Sequence, residues 1–351
     1  MLPFVYNALP SRVVFGFGTL AQVSDEIRAL GCSRALVLTT PFQRADGEAL
    51  VRRLGDLAVG LYDNATMHTP VEVTQDALDI VKSIGADCVV ALGGGSTIGL
   101  GKAIALNTDL PQIVIPTTYA GSEATPIIGQ TQDGLKTTQR TLKVLPEVII
   151  YDVDLTLSLP VQMTVTSGMN AIAHAVEALY SKDANPLISM LAEQGIAAIS
   201  RALPRIKVNA EDKDARSDAL FGAWACGVCL GAVGMSIHHK LCHTLGGSYD
   251  LPHAETHTVV LPHAVAYNSE AAPEAMTRIA RALGVDNAAK GLFDLAYQHG
   301  APTRLADIGM KAEDIGRAVE IACSSPYWNP RPIEPIAIRK LLDNALNGTR
   351  P

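Results

Sequence analysis

Up to residue 151 the chain alternates two kinds of segment, and this alternation limits the fold more than any other feature. Arg12–Phe15, Ala35–Thr39, Leu57–Tyr62, Cys88–Leu92 and Gln112–Ile115 are short apolar runs without polar residues at every second position. Such runs make strands covered on both faces. The stretches between them, at about 19–30, 46–55, 71–84 and 96–107, carry helical patterning. Strand and helix in alternation imply a parallel sheet with helices on both faces. Val148–Tyr151 is the last strand-like run. From Leu159 the sequence becomes Ala-rich with helical periodicity, and Pro160, Pro186, Pro204, Pro252, Pro262 and Pro302 punctuate it into candidate helices. We expect residues 1–155 to form an α/β domain with a parallel, Rossmann-like sheet, and residues 156–351 an all-α domain, with the boundary inside 153–160.

Composition excludes several classes of function. Of 351 residues, 48% are hydrophobic and 18% charged, which suits a well-cored enzyme. The net charge of −7 offers no general attraction to nucleic acid or anionic membranes. No apolar run reaches transmembrane length. The N-terminus lacks the basic and apolar regions of a signal peptide. Six scattered cysteines suit reduced thiols in the cytoplasm. Cys226 and Cys229 form a lone CxxC among small apolar residues and read as core thiols. The expectation is a cytoplasmic protein whose partner is a small molecule, with neither nucleic acid nor membrane involved.

Gly93-Gly94-Gly95-Ser96-Thr97 stands between the strand Cys88–Leu92 and a helix. Glycines let the backbone approach a phosphate closely. The new helix turns its unpaired N–H groups and positive dipole end toward an anion, with the hydroxyls of Ser96 and Thr97 beside them. The reading is a phosphate-binding loop, of the kind a dinucleotide-binding domain carries. Pro116–Glu123, after the strand 112–115, brings Thr117, Thr118 and Ser122 to the sheet edge where open α/β folds bind ligands. Gly16-Phe17-Gly18-Thr19-Leu20-Ala21 also fits GxGxxA, but the acidic residue expected about 20 positions later is absent. It reads as a structural turn.

In the second half, Asn170 and His174 lie one helical turn apart and face the same way. His239, His243 and His253 follow at helix-and-loop spacing. The set looks like a divalent-metal site that would want a carboxylate at position 170. His238 is about 100° around a helix from His239 and is expected to point elsewhere. His257 and His263 are expected to be structural.

These motifs together resemble the iron-containing alcohol dehydrogenase superfamily over most of the chain, and within it the maleylacetate reductases. The resemblance implies the dehydroquinate synthase-like fold of that superfamily, with Gly93–Thr97 as the pyrophosphate loop and Pro116–Glu123 as a second nucleotide loop. The superfamily carries Asp-x-x-x-His and two further histidine ligands, positions held here by Asn170, His174, His239 and His253. His243 matches an additional histidine near the nicotinamide. Asn170 stands where metal-dependent members carry aspartate, Gly99 where many carry aspartate, and Thr40 where NAD-selective members often carry a ribose-binding acid. All three departures fit maleylacetate reductases.

What the resemblance implies is reduction of the C=C bond of maleylacetate to 3-oxoadipate in bacterial aromatic degradation, by a homodimer using NADH or NADPH. The chemistry agrees, because a double bond already conjugated to a ketone needs no Lewis-acid metal. No metal is therefore expected, and if one were bound its ligands would be His174, His239 and His253. His243 is expected to deliver the proton. His239, His253 and His174 are expected to bind substrate oxygens, and Asn170 to donate an amide N–H to one. Thr40, lacking a carboxylate, is expected to admit a 2′-phosphate as well as a 2′-hydroxyl. Lys136, Arg140, Lys143 and Lys240 are candidates for the carboxylates of a dicarboxylate substrate. The competing readings are a metal-dependent alcohol, polyol or lactaldehyde dehydrogenase, an enzyme like dehydroquinate synthase, and a non-enzymatic nucleotide-binding sensor.

Overall fold

The computed structural model describes residues 4–9, 11–132, 135–325 and 327–351; the side chains of residues 132, 135 and 136 lie outside that description. Strands β1 (Arg12–Gly16), β2 (Ala35–Leu38), β3 (Ala58–Tyr62), β4 (Cys88–Gly93), β5 (Gln112–Pro116) and β8 (Val148–Asp152) form one sheet; β6 (Ile127–Gln132) and β7 (Leu135–Arg140) form a separate hairpin. The sheet is parallel in the order β1-β8-β5-β4-β2-β3. Alternate residues of each central strand feed opposite cores. Val37, Val90 and Ile113 join one cluster, whereas Leu36, Leu38, Val89, Ala91 and Val114 join the other. Burial on both faces is what the unbroken apolar runs anticipate, and each such side chain contributes about 1.5–3 kcal/mol.

Helices α1 (Val23–Ala29), α2 (Arg44–Leu54), α3 (Val71–Ile84) and α4 (Gly95–Thr108) connect the strands. The chain leaves β2 toward the edge strand β3, then crosses back to β4 and on to β5. The loops after β2 and β4 thus depart in opposite directions, and the crevice between these two strand ends is the topological switch point where open α/β sheets bind ligands.

Contacts divide the chain after Leu159. One unit holds Leu9–Thr118 and Ser122–Leu159; the other holds Pro160–Pro351, residues 4–8 and Tyr119–Gly121. This division comes later than 155/156 because the turn Val153–Thr156 is tied to the sheet through Asp152. That carboxylate accepts N–H bonds from Asp154 (3.1 Å), Gly18 (3.0 Å) and Leu20 (2.8 Å). The same bonds show why Gly16–Ala21 is only a turn: its N–H groups serve the protein's own carboxylate.

The hairpin β6–β7 has no counterpart among the expected elements, since Gly129-Gln130-Thr131-Gln132 carries no apolar alternation. It is anchored through Ile128, which packs with Ala103 and Val144, and through Lys102 of α4. Lys102 Nζ donates to Ser122 O (2.6 Å), Thr125 O (2.7 Å), Thr125 Oγ1 (2.9 Å) and Ile127 O (2.8 Å). Burial pulls this amine down to about 7 while nearby Glu123 opposes the shift. Four acceptors and no donor around Nζ favour the protonated form.

The second unit comprises α5 (Val161–Leu179), α6 (Pro186–Val208), α7 (Lys213–Ala232), α8 (Ile237–Tyr249), α9 (His253–Asn268), α10 (Pro273–Leu283), α11 (Ala288–Gln298), α12 (Ile315–Cys323) and α13 (Pro335–Asn347). Among the described residues, no single helix is long and apolar enough to cross a membrane. Pro160 and Pro252 stand at N-caps and Pro186 opens α6. Pro204 and Pro262, expected to end helices, instead lie inside α6 and α9. Each removes one intrahelical bond, and the buried residues flanking both prolines carry the helices through. Cys226 and Cys229 are fully buried in α7 as core thiols. α5 is buried from Thr164 to Leu179 by α6, α7 and α9, so its polar residues sit in the core of this unit.

Candidate active site

Two constellations stand out, one in each unit. In the sheet unit, α4 starts at Gly95 with Gly94 as its N-cap, so the first-turn N–H groups are free to meet an anion. The crowding requires glycine. A Cβ on Gly93 (φ +152°) would stand 2.5 Å from Thr97 Oγ1 and 2.8 Å from Gln43 Oε1, and one on Gly94 would stand 2.9 Å from Thr118 Cγ2. Gly95 has open space beside it. Gln43 Nε2 donates to Thr117 Oγ1 (3.1 Å), and Thr117 N donates to Gly93 O (3.1 Å), which ties the loops after β2, β4 and β5 together. Thr40 caps the short turn Pro41–Gln43 beside them.

Two of the hydroxyls named from the sequence are buried. Thr97 is fully buried and its hydroxyl has no hydrogen-bond partner, whereas Ser96 is half-buried. The Ser122 hydroxyl is also buried, and Ser122 contributes its carbonyl to Lys102. Gly99 has a local cause as well: a Cβ there would stand 2.3 Å from Thr69 Oγ1.

In the helical unit, Asn170, His174 and Glu177 form an i, i+4, i+7 stripe on α5. Glu177 is wholly buried and caps the start of α8. Its Oε2 accepts Ser236 N (2.8 Å), its Oε1 accepts His238 N (2.8 Å), and His239 Nδ1–H donates to Oε2 at 2.7 Å. His239 Nε2 faces His174 Nδ1 at 2.9 Å, and His174 Nε2–H donates to Ala120 O at 3.1 Å. Both ends of this row are acceptors, so its three links need three N–H protons where two neutral rings carry two. Burial, then the neighbouring His239, holds His174 well below the ordinary histidine range.

Asn170 turns its amide toward the segment Tyr119–Gly121. Its Nδ2 donates to Ala120 O (3.4 Å), the carbonyl that His174 also uses, and its Oδ1 is buried without a partner. Ala120 is held there by its neighbours. Tyr119 OH accepts from the buried Arg216 (3.4 Å), and a Cβ on Gly227 would stand 2.4 Å from Gly121 O.

The other rings surround this row. His238 does not point elsewhere: it meets His257. His238 Nε2 lies 2.9 Å from His257 Nδ1, and the His257 ring centre is 4.4 Å from His253 and 5.1 Å from His239. Burial, then neighbouring rings, pushes both well below the usual range. The angular argument compared His238 only with its own helix, whereas α9 packs across α8 and meets it. His253 is half-buried and His243 exposed, with the His243 ring centre 6.2 Å from His239. His263 is apart, beside Phe293, and burial pulls it down to about 4. Glu177 was the residue the motifs missed. Its signal was a carboxylate three positions beyond His174 in an otherwise apolar helix.

A divalent cation needs lone pairs converging on one point. The nitrogens of His174 and His239 are spent on each other, on Glu177 and on Ala120, and Asn170 is a neutral amide. As arranged, these residues do not fit a bound cation. Among the described residues, His238, Cys242 and His257 do gather three ligand atoms within 4.8 Å. However, Cys242 Sγ is 3.7 Å from one nitrogen of His238 and 4.0 Å from the other, which puts it beside the ring rather than on a lone-pair axis. Of the basic candidates, Lys240 lies on α8 between His239 and His243, with Nζ 5.8 Å from the Tyr327 ring centre. Lys143 pairs with Asp109 and Arg140 ends β7, both in the sheet unit; the Lys136 side chain lies outside the described residues.

Comparison with known proteins agrees with this architecture. The family described as iron-containing alcohol dehydrogenase matches residues 10–153, and its C-terminal counterpart matches residues 164–346. A maleylacetate reductase of Rhizobium sp. (strain MTP-10005) is 58% identical over 351 residues, all of both chains. The crystal structure of a maleylacetate reductase from Agrobacterium tumefaciens superposes with a TM-score of 0.97 at 60% identity, covering 100% of each chain. An iron-containing alcohol dehydrogenase from Corynebacterium glutamicum gives 0.95 at 42% identity, covering 99% of this chain and 98% of that one. The chain belongs to the iron-containing alcohol dehydrogenase family and is an oxidoreductase whose full-length relatives include maleylacetate reductases.

Proposed function

We propose that this protein reduces the activated C=C bond of maleylacetate to 3-oxoadipate with NADH or NADPH, using histidines in place of a metal. The observation that carries the reading is the row Glu177–His239–His174–Ala120, which spends its ring nitrogens on hydrogen bonds. The relatives named maleylacetate reductase support the substrate. Hydride from the nicotinamide adds to the alkene carbon β to the ketone, and the electron pair moves onto the ketone oxygen. An N–H donor of His253 stabilises that enolate, the row behind it holds His239 in place, and the carbon α to the ketone then takes a proton. His243, the exposed ring of the group, supplies that proton from solvent. Lys240 is placed to attract a substrate carboxylate.

The test is NADH oxidation with maleylacetate, with and without a strong chelator. The rate is expected to be unchanged by chelator, and NADH and NADPH to differ by less than about 10³-fold in kcat/KM, roughly 4 kcal/mol. Chelator-sensitive turnover of simple aldehydes instead would replace this reading with the alcohol dehydrogenase one. His243→Ala is expected to lower kcat by about 10²-fold; near-normal turnover would remove it from proton delivery.

A further inference from the structure

Phe42 is 99% exposed, in the short turn Pro41–Gln43 that follows β2. An aromatic ring fully in water stabilises nothing in the free protein. Its position gives it a use. The loop after β2 forms one wall of the crevice at the switch point, and the glycine loop after β4 forms the other. Gln43, the next residue, bonds to Thr117 and touches the space a Cβ on Gly93 would fill, so the turn stands directly beside the pyrophosphate cradle.

A dinucleotide held at Gly94–Ser96 must send one half toward β5 and the other toward β2. In open α/β dinucleotide folds the adenosine ribose meets the end of a strand beside the phosphate loop, and the turn after β2 is the one that stands against this cradle, so the adenosine half takes the β2 side.

Resting on the NAD(P)H reading above, we propose that Phe42 is the stacking platform for the adenine ring. Thr40 lies at the ribose and the face of Phe42 covers the base. Stacking on an aromatic face is tolerant of what the ribose carries, so this contact serves NADH and NADPH alike.

The experiment is calorimetric titration of the full chain and its Phe42→Ala and Phe42→Trp variants with NADH, ADP-ribose and reduced nicotinamide mononucleotide, which lacks the adenosine half. Phe42→Ala is expected to weaken NADH and ADP-ribose by about tenfold, with the mononucleotide unchanged and Phe42→Trp restoring affinity. The ring is fully exposed, so neither variant threatens folding. A change of less than about twofold for NADH, or an equal loss for the mononucleotide, overturns the platform. So does a change only in oligomeric state, which would mark Phe42 as a contact between copies. Absence of NADH binding by the unaltered chain would overturn both the platform and the cofactor reading.

Discussion

Glu177→Gln is expected to lower kcat by about 10²-fold or more while the protein stays folded, and Glu177→Ala to destabilise it by about 3–5 kcal/mol. The two variants separate the two tasks of one carboxylate. Glu177 is wholly buried, satisfies the opening N–H groups of α8, and fixes the proton on His239 Nδ1. Alanine removes both functions, leaving buried N–H groups without an acceptor and a cavity where the side chain was. Glutamine keeps the volume and one acceptor oxygen. Whichever way its amide turns, an NH₂ group then faces donors: His238 N–H at the Oε1 position, or Ser236 N–H and His239 Nδ1–H at the Oε2 position. The alternative that restores bonding moves the His239 proton to Nε2. Losing the carboxylate that orients a catalytic histidine costs about 10⁴-fold in the best-studied serine hydrolase triad, by the same change of tautomer. The readouts are urea melts for stability and steady-state kinetics for kcat. Glu177→Gln with normal kcat would reduce Glu177 to a helix cap.

The parts of this architecture that were legible in the sequence are those where one physical requirement leaves one pattern. Strands covered on both faces must be apolar at every position, so Ala35–Thr39 and Cys88–Leu92 announce themselves. A phosphate cradle at a helix start needs backbone without side chains, and Gly93–Gly95 shows it. Residues one turn apart share a face, so Asn170 and His174 were paired correctly; what they converge on was not readable, because Ala120 is 50 or more positions away. His238 and Glu177 were missed for a related reason. Helical periodicity compares a residue with its own helix, but His238 meets His257 of α9, and Glu177 of α5 meets the start of α8. The hairpin β6–β7 left no trace because its register rests on backbone bonds and on the Lys102 anchor rather than on apolar alternation.

Asn170→Asp is expected to lose about 3–5 kcal/mol of stability in metal-free buffer, a fall in Tm of about 10 °C, and to recover much of it when zinc or ferrous ion is added. Asn170 is only 3% exposed, and its NH₂ group is 3.4 Å from the Ala120 carbonyl that His174 also approaches. Aspartate would set an oxygen against that oxygen and bury an anion with no partner. Three outcomes can relieve the strain. The carboxyl can take up a proton and donate to Ala120; the loop Tyr119–Gly121 can withdraw; or a cation can enter and draw His174 and His239 off each other. The last restores by mass action about 2.7 kcal/mol when free metal is 100 times its Kd. The asparagine is thus what allows a neutral hydrogen-bonded row to stand where an anion would call for a cation. Asn170→Ala is the control: it loses one hydrogen bond, about 1 kcal/mol, and gains no affinity for metal. Thermal melts with and without added ion discriminate. If Asn170→Asp melts with the unaltered protein in both conditions, or if the unaltered protein is stabilised by the ion as strongly as the variant, then position 170 does not decide between metal-dependent and metal-free chemistry.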